Sequence, residues 1–286
     1  VVVLSAMAGV TDNLQSYIDA IDFYPSKETE LVMTSGEQVT IGLLSMILNK
    51  KGVKSAPLLG WQVPIITDEN YEKATILNIE NKQILNLFKS YDVIVLAGFQ
   101  GISLKGNITS LGRGGSDTTA VAIASSLKAE RCDIYTDVEG VYTADPNIIP
   151  KAKKIDKLTY DEMLEMSSTG AKVLQTRSVE LAMKNNITLQ VLSSFSNNDG
   201  TYIINDEKLI EKEIVSGLSY SNNESKLTIS GIPDKPGISA KIFGLMSKNN
   251  INVDMIVQNI SQDGVNANIT FTIPTKNLNL ANKVLQ

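Results

Sequence analysis

Three glycines crowd around one arginine in the run Gly112, Arg113, Gly114, Gly115, Ser116, Asp117, Thr118, Thr119. Glycine lets a backbone approach a ligand closely, and amides at a helix start point toward negative charge. Arg113 adds a planar fork that can hold a carboxylate or phosphate through two hydrogen bonds. Asp117 stands where a helix cap would stand, and a carboxylate there can also orient an ammonium group. The plain alternative is a tight turn with a capping Asp117 and a solvated Arg113. Three glycines packed between strand and helix favour the anion site. A Walker loop would need Gly-Lys-Ser/Thr and a dinucleotide loop Gly-x-Gly-x-x-Gly, and neither is present. The run therefore points to phosphate chemistry without a P-loop.

The surroundings of this loop alternate in period. Residues 1–4 are an apolar β-branched run, followed by small residues through Gly9. A helix containing Leu14, Tyr17, Ile18 and Ile21 follows, with Thr11 or Asp12 as its cap. Residues 38–48 read as an apolar helix, 91–96 as a buried strand, 118–127 as a helix of small residues and 132–136 as a further strand. Strands and helices in turn predict an α/β fold with a mainly parallel sheet covered on both faces. After the turn signal Asn197, Asn198, Asp199, Gly200 the pattern changes. A strand at 226–230, a Pro/Gly turn at 233–237, a helix at 238–248, strands at 252–260 and 266–273 and a helix from Leu278 follow. That order, β-α-β-β-α, is a ferredoxin-like α+β unit without its final strand. The expected domains are 1–212 and 213–286. A chain that opens inside a strand and stops before the last strand of its second unit is expected to be truncated at both ends.

Composition narrows the chemistry. The 286 residues fit two domains, and a net charge of -5 argues against a broad nucleic-acid surface. Phosphate binding must then be local. The absence of histidine removes His-based triads, His-ligated zinc and imidazole acid–base catalysis. Cys132 is the single cysteine, so no intrachain disulfide can form, and a reducing cytoplasm fits best. The longest apolar runs, such as residues 93–97, are strand-length, so no membrane partner is expected.

Other candidates carry two readings each. Thr136 and Asp137 close a strand, and nucleotides commonly bind beyond the carboxyl ends of strands in open α/β sheets. Thr136 and Asp137 can bond a base or ribose and Tyr142 can pack on it, while an ordinary Asp/Gly/Pro-rich connection explains the segment equally well. Glu37, after Ser35 and Gly36, reads first as an exposed capping residue and otherwise as a partner for a substrate ammonium. Lys172, after Gly170 and Ala171, reads first as a surface lysine and otherwise as a phosphate ligand. In the second region, the turn before residue 238 offers backbone donors to a carboxylate, Asp234 can pair with an ammonium, and Gln258 with Asn259 can complete a polar pocket. A loop with a solvated Asp234 stands as the equal alternative.

Together these segments resemble the aspartate kinase family of amino-acid kinases, nearly end to end. The carriers are Ser5-Ala6-Met7-Ala8-Gly9-Val10-Thr11-Asp12, Ser35-Gly36-Glu37, Gly60-Trp61-Gln62, Ile66-Thr67-Asp68 and Gly98-Phe99-Gln100-Gly101. The glycine-rich run, the Thr136 to Pro146 segment, Gly170-Ala171-Lys172 and Arg177-Ser178-Val179-Glu180 follow in order. Asp234-Lys235-Pro236-Gly237 and Val257-Gln258-Asn259-Ile260 match the family's ACT effector region.

The resemblance implies a three-layer αβα amino-acid kinase domain followed by an incomplete ACT domain. It implies transfer of the ATP γ-phosphoryl group to the side chain of L-aspartate, the first step toward lysine, threonine and methionine. Arg113 would grip a substrate carboxylate, and Glu37 and Asp117 the amino group. Ser5, Ala6, Thr11, Phe99, Gly114 and Ser116 would line the aspartate pocket. Thr136, Asp137, Tyr142 and Lys172 would hold the nucleotide, with Mg²⁺ neutralising charge and no side chain assigned as a metal ligand. A carboxylate is already an anionic nucleophile, so no general base is needed. Asp234, Gly237, Ile238, Ser239, Gln258 and Asn259 would bind lysine, alone or with threonine, near a homodimer interface made by ACT domains, with higher homo-oligomers also open.

Three departures from the family pattern stand out. The opening Lys-Phe-Gly-Gly-Thr-Ser segment is absent, the stretch between Asn13 and Thr34 is short, and Asn147 replaces an arginine found in many members. The competing readings are a glutamate or N-acetylglutamate kinase, a non-catalytic amino-acid sensor, and a kinase fused to homoserine dehydrogenase.

Overall fold

The protein is described by a computed structural model covering residues 1–170, 173–205, 215–260 and 266–285. It divides into two compact units, Val1–Ser219 and Tyr220–Gln286. The expected boundary at 212/213 lies outside the described residues.

The first unit runs β1 (Val2–Leu4), α1 (Val10–Ile21), α2 (Lys27–Met33), α3 (Ser35–Lys50), β2 (Ser55–Leu58), β3 (Ile65–Thr67) and β4 (Ile76–Ile79). It continues through α4 (Lys82–Leu87), β5 (Val93–Ala97), β6 (Gln100–Ser103), β7 (Ile108–Ser110), α5 (Gly115–Ser126) and β8 (Arg131–Thr136). β9 (Lys157–Thr159), α6 (Tyr160–Ser168), α7 (Thr176–Asn185), β10 (Thr188–Ser193) and β11 (Thr201–Ile204) complete it.

β5 is the centre of an all-parallel sheet, β1-β5-β2, and its Ile94, Val95, Leu96 and Ala97 are fully buried. A strand buried on both faces needs a continuous apolar run, and Val-Ile-Val-Leu-Ala supplies one. A second sheet, β8-β10-β11-β9, is parallel except between β10 and β11, and a third orders β4-β3-β6-β7. α3 packs on β2 and β5, while α5 packs on both β1 and β8. Small residues make α5 thin enough to serve two cores: Ile123 enters one with Ile94 and Leu96, and Val121 and Ala124 enter the other with Ile134 and Leu189. The mixed α/β architecture is the one expected.

Two starts differ from expectation. α1 is capped by Gly9 in a left-handed conformation (φ 76°), with no bond from Thr11 or Asp12. α5 begins at Gly115 with Gly114 as its cap (φ 69°), so Asp117 lies inside the first turn rather than at the cap. Only glycine adopts that conformation at little cost, and this displaces the capping role from the aspartate.

α2 and α3 together, Lys27–Lys50, are long and apolar enough to cross a bilayer by length and composition alone. Their Glu30 and Glu37 are buried, and α3 packs on a sheet, as a core helix does.

The second unit follows the order read from the sequence: β12 (Glu224–Pro233), α8 (Ile238–Lys248), β13 (Asp254–Ile260), β14 (Asn266–Pro274) and α9 (Leu278–Leu285). Its antiparallel sheet is β12-β14-β13. Ala267, Ile269, Phe271 and Ile273 of β14 alternate into a core with Ile242 and Met246 of α8. β12 extends past the expected 226–230 because its register shifts between Ile229 and Ile232, carrying the strand to Pro233.

Gln100, fully buried, ties three parts of the first unit together. Its Nε2 donates to Thr34 O at 3.0 Å and its Oε1 accepts from Gly60 N at 3.0 Å. Gln100→Leu leaves a buried carbonyl and a buried amide unpaired and should cost about 2–4 kcal/mol of stability, measured by urea unfolding.

Candidate functional site

Parallel pairing sets Leu4 of β1 against Ala97 of β5, so the two chains leave the sheet side by side. Gly98 N donates to Leu4 O at 2.9 Å and keeps the exits together. Ser5 and Ala6 follow one strand, Gly98 and Phe99 the other. A Cβ at Gly98 would stand 2.7 Å from Ser116 Oγ, so the start of α5 sits directly on this exit. Phe99 takes a left-handed conformation (φ 68°), uncommon for a large residue. Its N–H donates to Thr119 Oγ1 at 3.1 Å and its carbonyl accepts from Leu111 N at 2.8 Å. The Phe99 ring lies against Gly115. On the β1 side, Ala6 packs on Gly36, and Ala6 N donates to Glu37 Oε1 at 3.2 Å.

Thus Ala6, Glu37, Phe99 and Ser116 are linked by direct contacts around the carboxyl ends of β1 and β5. Ser5 is exposed beside them, Thr11 is half-buried in the first turn of α1, and Gly114 caps α5. Arg113 projects as an exposed side chain from the loop, one residue before that cap.

Glu37 is not the exposed capping residue that its position suggests. It is 3% exposed, and its Oε2 makes no hydrogen bond within the structure. Burial raises its pKa to about 6, against the pull of backbone N–H groups at Glu37 and Ala6. Asp117, half-buried in the first turn of α5, is likewise raised to about 6 by burial. Two buried carboxylates that are costly to ionise, one of them with an unpaired oxygen, are suited to receive a cationic group.

Thr136 ends β8, and its Oγ1 donates to Asp137 Oδ1 at 3.1 Å. Asp137 is exposed and Tyr142 half-buried, with Tyr142 bridging to Lys154. The loop between is fastened at its middle: Val141 N donates to Thr201 Oγ1 at 2.8 Å, and that hydroxyl donates on to Ile155 O at 2.5 Å. Lys172 lies outside the described residues.

In the second unit Gly237 caps α8 (φ 93°), with Ile238 and Ser239 half-buried in its first turn. Gln258 Nε2 donates to Asp234 Oδ1 at 3.2 Å, which brings two of the expected effector residues together, both exposed. Asn259 pairs with Asn268 across the sheet.

Arg177 and Gln175 had no role assigned from sequence, yet both touch the glycine-rich loop. Gln175 packs on Gly114, and Arg177 donates to Leu111 O at 2.8 Å. The available signal was their place just after Gly170, in a segment already noted for its resemblance.

Residues 1–193 match the amino acid kinase family and residues 227–286 an ACT domain. The aspartate kinase of Pseudomonas fluorescens is 50% identical over 290 residues, covering 100% of this chain and 70% of that protein. The chain belongs to the aspartate kinases of the amino acid kinase family. Members of that group are phosphotransferases acting on the carboxyl group of aspartate. The aspartokinase of Helicobacter pylori is 45% identical, covering 96% of this chain and 68% of that one. E. coli aspartokinase III in complex with aspartate and ADP, in its R-state, superposes with a TM-score of 0.76 at 30% identity. That match covers 92% of this chain and 59% of the E. coli chain, so this chain spans less than two thirds of the solved enzyme. The same enzyme with lysine and aspartate, in its T-state, gives a TM-score of 0.71 at 30% identity, with the same coverage.

The raised carboxylate at Glu37 has a consequence for stability. The native state keeps a proton that the unfolded chain releases, so stability is lost as pH rises from the ordinary value of 4.5 through about 6. Glu37→Gln should therefore be the more stable protein near pH 8, by about 2 kcal/mol, with the gain vanishing near pH 4. Thermal unfolding at the two pH values measures it.

Proposed function

We propose that this chain transfers the γ-phosphoryl group of ATP to the side-chain carboxylate of L-aspartate, giving ADP and 4-phospho-L-aspartate. The observation carrying this reading is the buried Glu37 carboxylate, with one oxygen held by Ala6 and the other without a partner, beside the loop that presents Arg113. An α-amino acid brings one ammonium and one carboxylate on the same carbon. Glu37 and Asp117 receive the ammonium, and Arg113 grips the α-carboxylate in a two-bond fork. Ser5, Ala6, Thr11, Phe99, Gly114 and Ser116 enclose the remainder.

The side-chain carboxylate is then free to attack phosphorus in line. A carboxylate oxygen–phosphorus bond forms while the bond from phosphorus to the bridging oxygen of ADP breaks, and no proton has to be removed. Catalysis rests on positioning and on neutralising charge, which needs no histidine. Thr136, Asp137 and Tyr142 receive the nucleotide and Lys172 its phosphates. Among the described residues no three acidic, cysteine or histidine side chains converge on one point. Mg²⁺ would enter on the ATP phosphates and would supply charge neutralisation there, with no side chain of this chain assigned to hold it.

The second unit is read as the receiver of an end-product amino acid, lysine alone or with threonine, in the pathway that leads to lysine, threonine and methionine. The Asp234–Gln258 bond beside the left-handed cap of α8 supports a small polar pocket, and E. coli aspartokinase III has been solved with lysine. The exposed apolar residues Met255, Ile256 and Val257 on β13 support pairing of two chains through this unit. A single buried cysteine, its thiol pushed up to about 12, is compatible with the reducing cytoplasm. The domains are taken as 1–212 and 213–286.

ATP-dependent formation of an acyl phosphate from L-aspartate, trapped as its hydroxamate, tests the reaction. Activity on another amino acid, or none at all, would overturn it. Arg113→Ala should lower kcat/KM for aspartate by about 100-fold or more, because a charged two-bond grip is lost. Asp234→Ala should raise the lysine concentration for half-inhibition by about tenfold or more. Unchanged inhibition counts against the effector site.

A further inference from the structure

Arg177, in the first turn of α7, has no part in the reaction as described. Its half-buried guanidinium donates from Nη1 to Leu111 O at 2.8 Å and from Nη2 to Ala74 O at 2.8 Å. Both carbonyls belong to the support of the glycine-rich loop. Leu111 precedes Gly112 directly, and Ala74 N returns a bond to Ser110 O at 2.9 Å. The segment around Ala74 then reaches the loop itself. Glu72 is left-handed (φ 64°), and its carbonyl stands 2.5 Å from where a Cβ on Gly112 would lie. Its N–H is held at 2.5 Å by Oε1 of Glu30, a residue of α2 that is 1% exposed. On the far side of Arg113, Gln175 of the α7 cap packs on Gly114. Gly112 and Gly114 are thus each braced by a neighbour, and the segment bearing the first brace is tied to α7 through one guanidinium. Asp68 and Glu180 are the carboxylates facing that guanidinium.

We infer that Arg177 is a positioning residue: by fixing the carbonyls of Ala74 and Leu111 it sets where Gly112, Arg113 and Gly114 meet the substrate carboxylate. This rests on Arg113 being the carboxylate grip. A planar fork holds the two carbonyls at a fixed spacing from separate nitrogens, which the three donors on the single nitrogen of an ammonium do not reproduce. Misplacement of a binding group by about 1 Å can cost about 100-fold in rate, so the effect reaches aspartate binding beyond any cost to the fold.

The test uses Arg177→Ala and Arg177→Lys in the full chain. Without ligand, hydrogen exchange in residues 70–76 and 108–118 should quicken in Arg177→Ala and lie between it and the parent in Arg177→Lys. In steady state KM for aspartate should rise by about tenfold in Arg177→Ala while KM for ATP moves less than about threefold, and added guanidinium ion should restore part of the loss. Should Arg177→Ala fail to fold, Arg177→Lys decides alone, by the same split at smaller size. The inference is overturned by parent-like exchange in both segments, or by both KM values rising together without guanidinium rescue. A parent protein that does not phosphorylate aspartate defeats the proposed reaction instead, and the exchange result still decides whether Arg177 fixes the loop.

Discussion

The site depends on one register: Leu4 beside Ala97 in the parallel pair β1–β5, locked by the bond from Gly98 N to Leu4 O. Parallel strands end on the same side, so this register delivers two loops to one place without either having to turn back. Ser5 and Ala6 come from one loop, and Phe99 and the approach to α5 from the other. A slip of one residue would point the alternate side chains inward and separate Ala6 from the exit at Gly98. The uninterrupted apolar run in β5 is buried on both faces and does not itself choose the register, which leaves that choice to specific ties such as Gly98 N to Leu4 O.

Around that register the protein accepts unfavourable groups. Glu37 is buried with one oxygen unpaired, Asp117 is raised by burial, and Phe99 occupies a left-handed backbone. Each is destabilising alone, and all three lie within one chain of contacts through Ala6, Gly98 and Ser116. Strain and desolvated charge gathered in one place fit the aspartate pocket proposed there. A second such group lies at Glu30, buried with one oxygen unpaired and its pKa raised by burial, beside left-handed Glu72, while apolar cores and satisfied hydroxyl pairs such as Thr67–Thr109 fill other parts of the first unit.

What could be read in the sequence follows the range of the interaction. Helix 238–248 was legible to the residue, since Pro236 and Gly237 mark its start and its apolar spacing continues to Lys248. The alternation of strands and helices was legible for the same local reason. Asp117 was placed at the cap position, although it lies inside the first turn, because the choice between it and Gly114 turns on a backbone angle at Gly114, which Gln175 packs against. Glu37 was misread as exposed because what buries it includes Ala6, 31 residues earlier in the chain. Arg177 was legible only as part of a family motif and not by its role: its two acceptors are 66 and 103 residues away, and a single arginine on a helix looks solvated until they are known.

The hydroxyl of Thr201 holds Val141 and Ile155 together from inside the second sheet. It works as a pin through the longest irregular stretch of the first unit. The stretch from Asp137 to Gly140 thereby runs between two anchored points, the end of β8 and the pin at Val141. Tyr142 starts from that same pin and is tied at once to Lys154, so its place is set by the second sheet and not by the exposed Asp137.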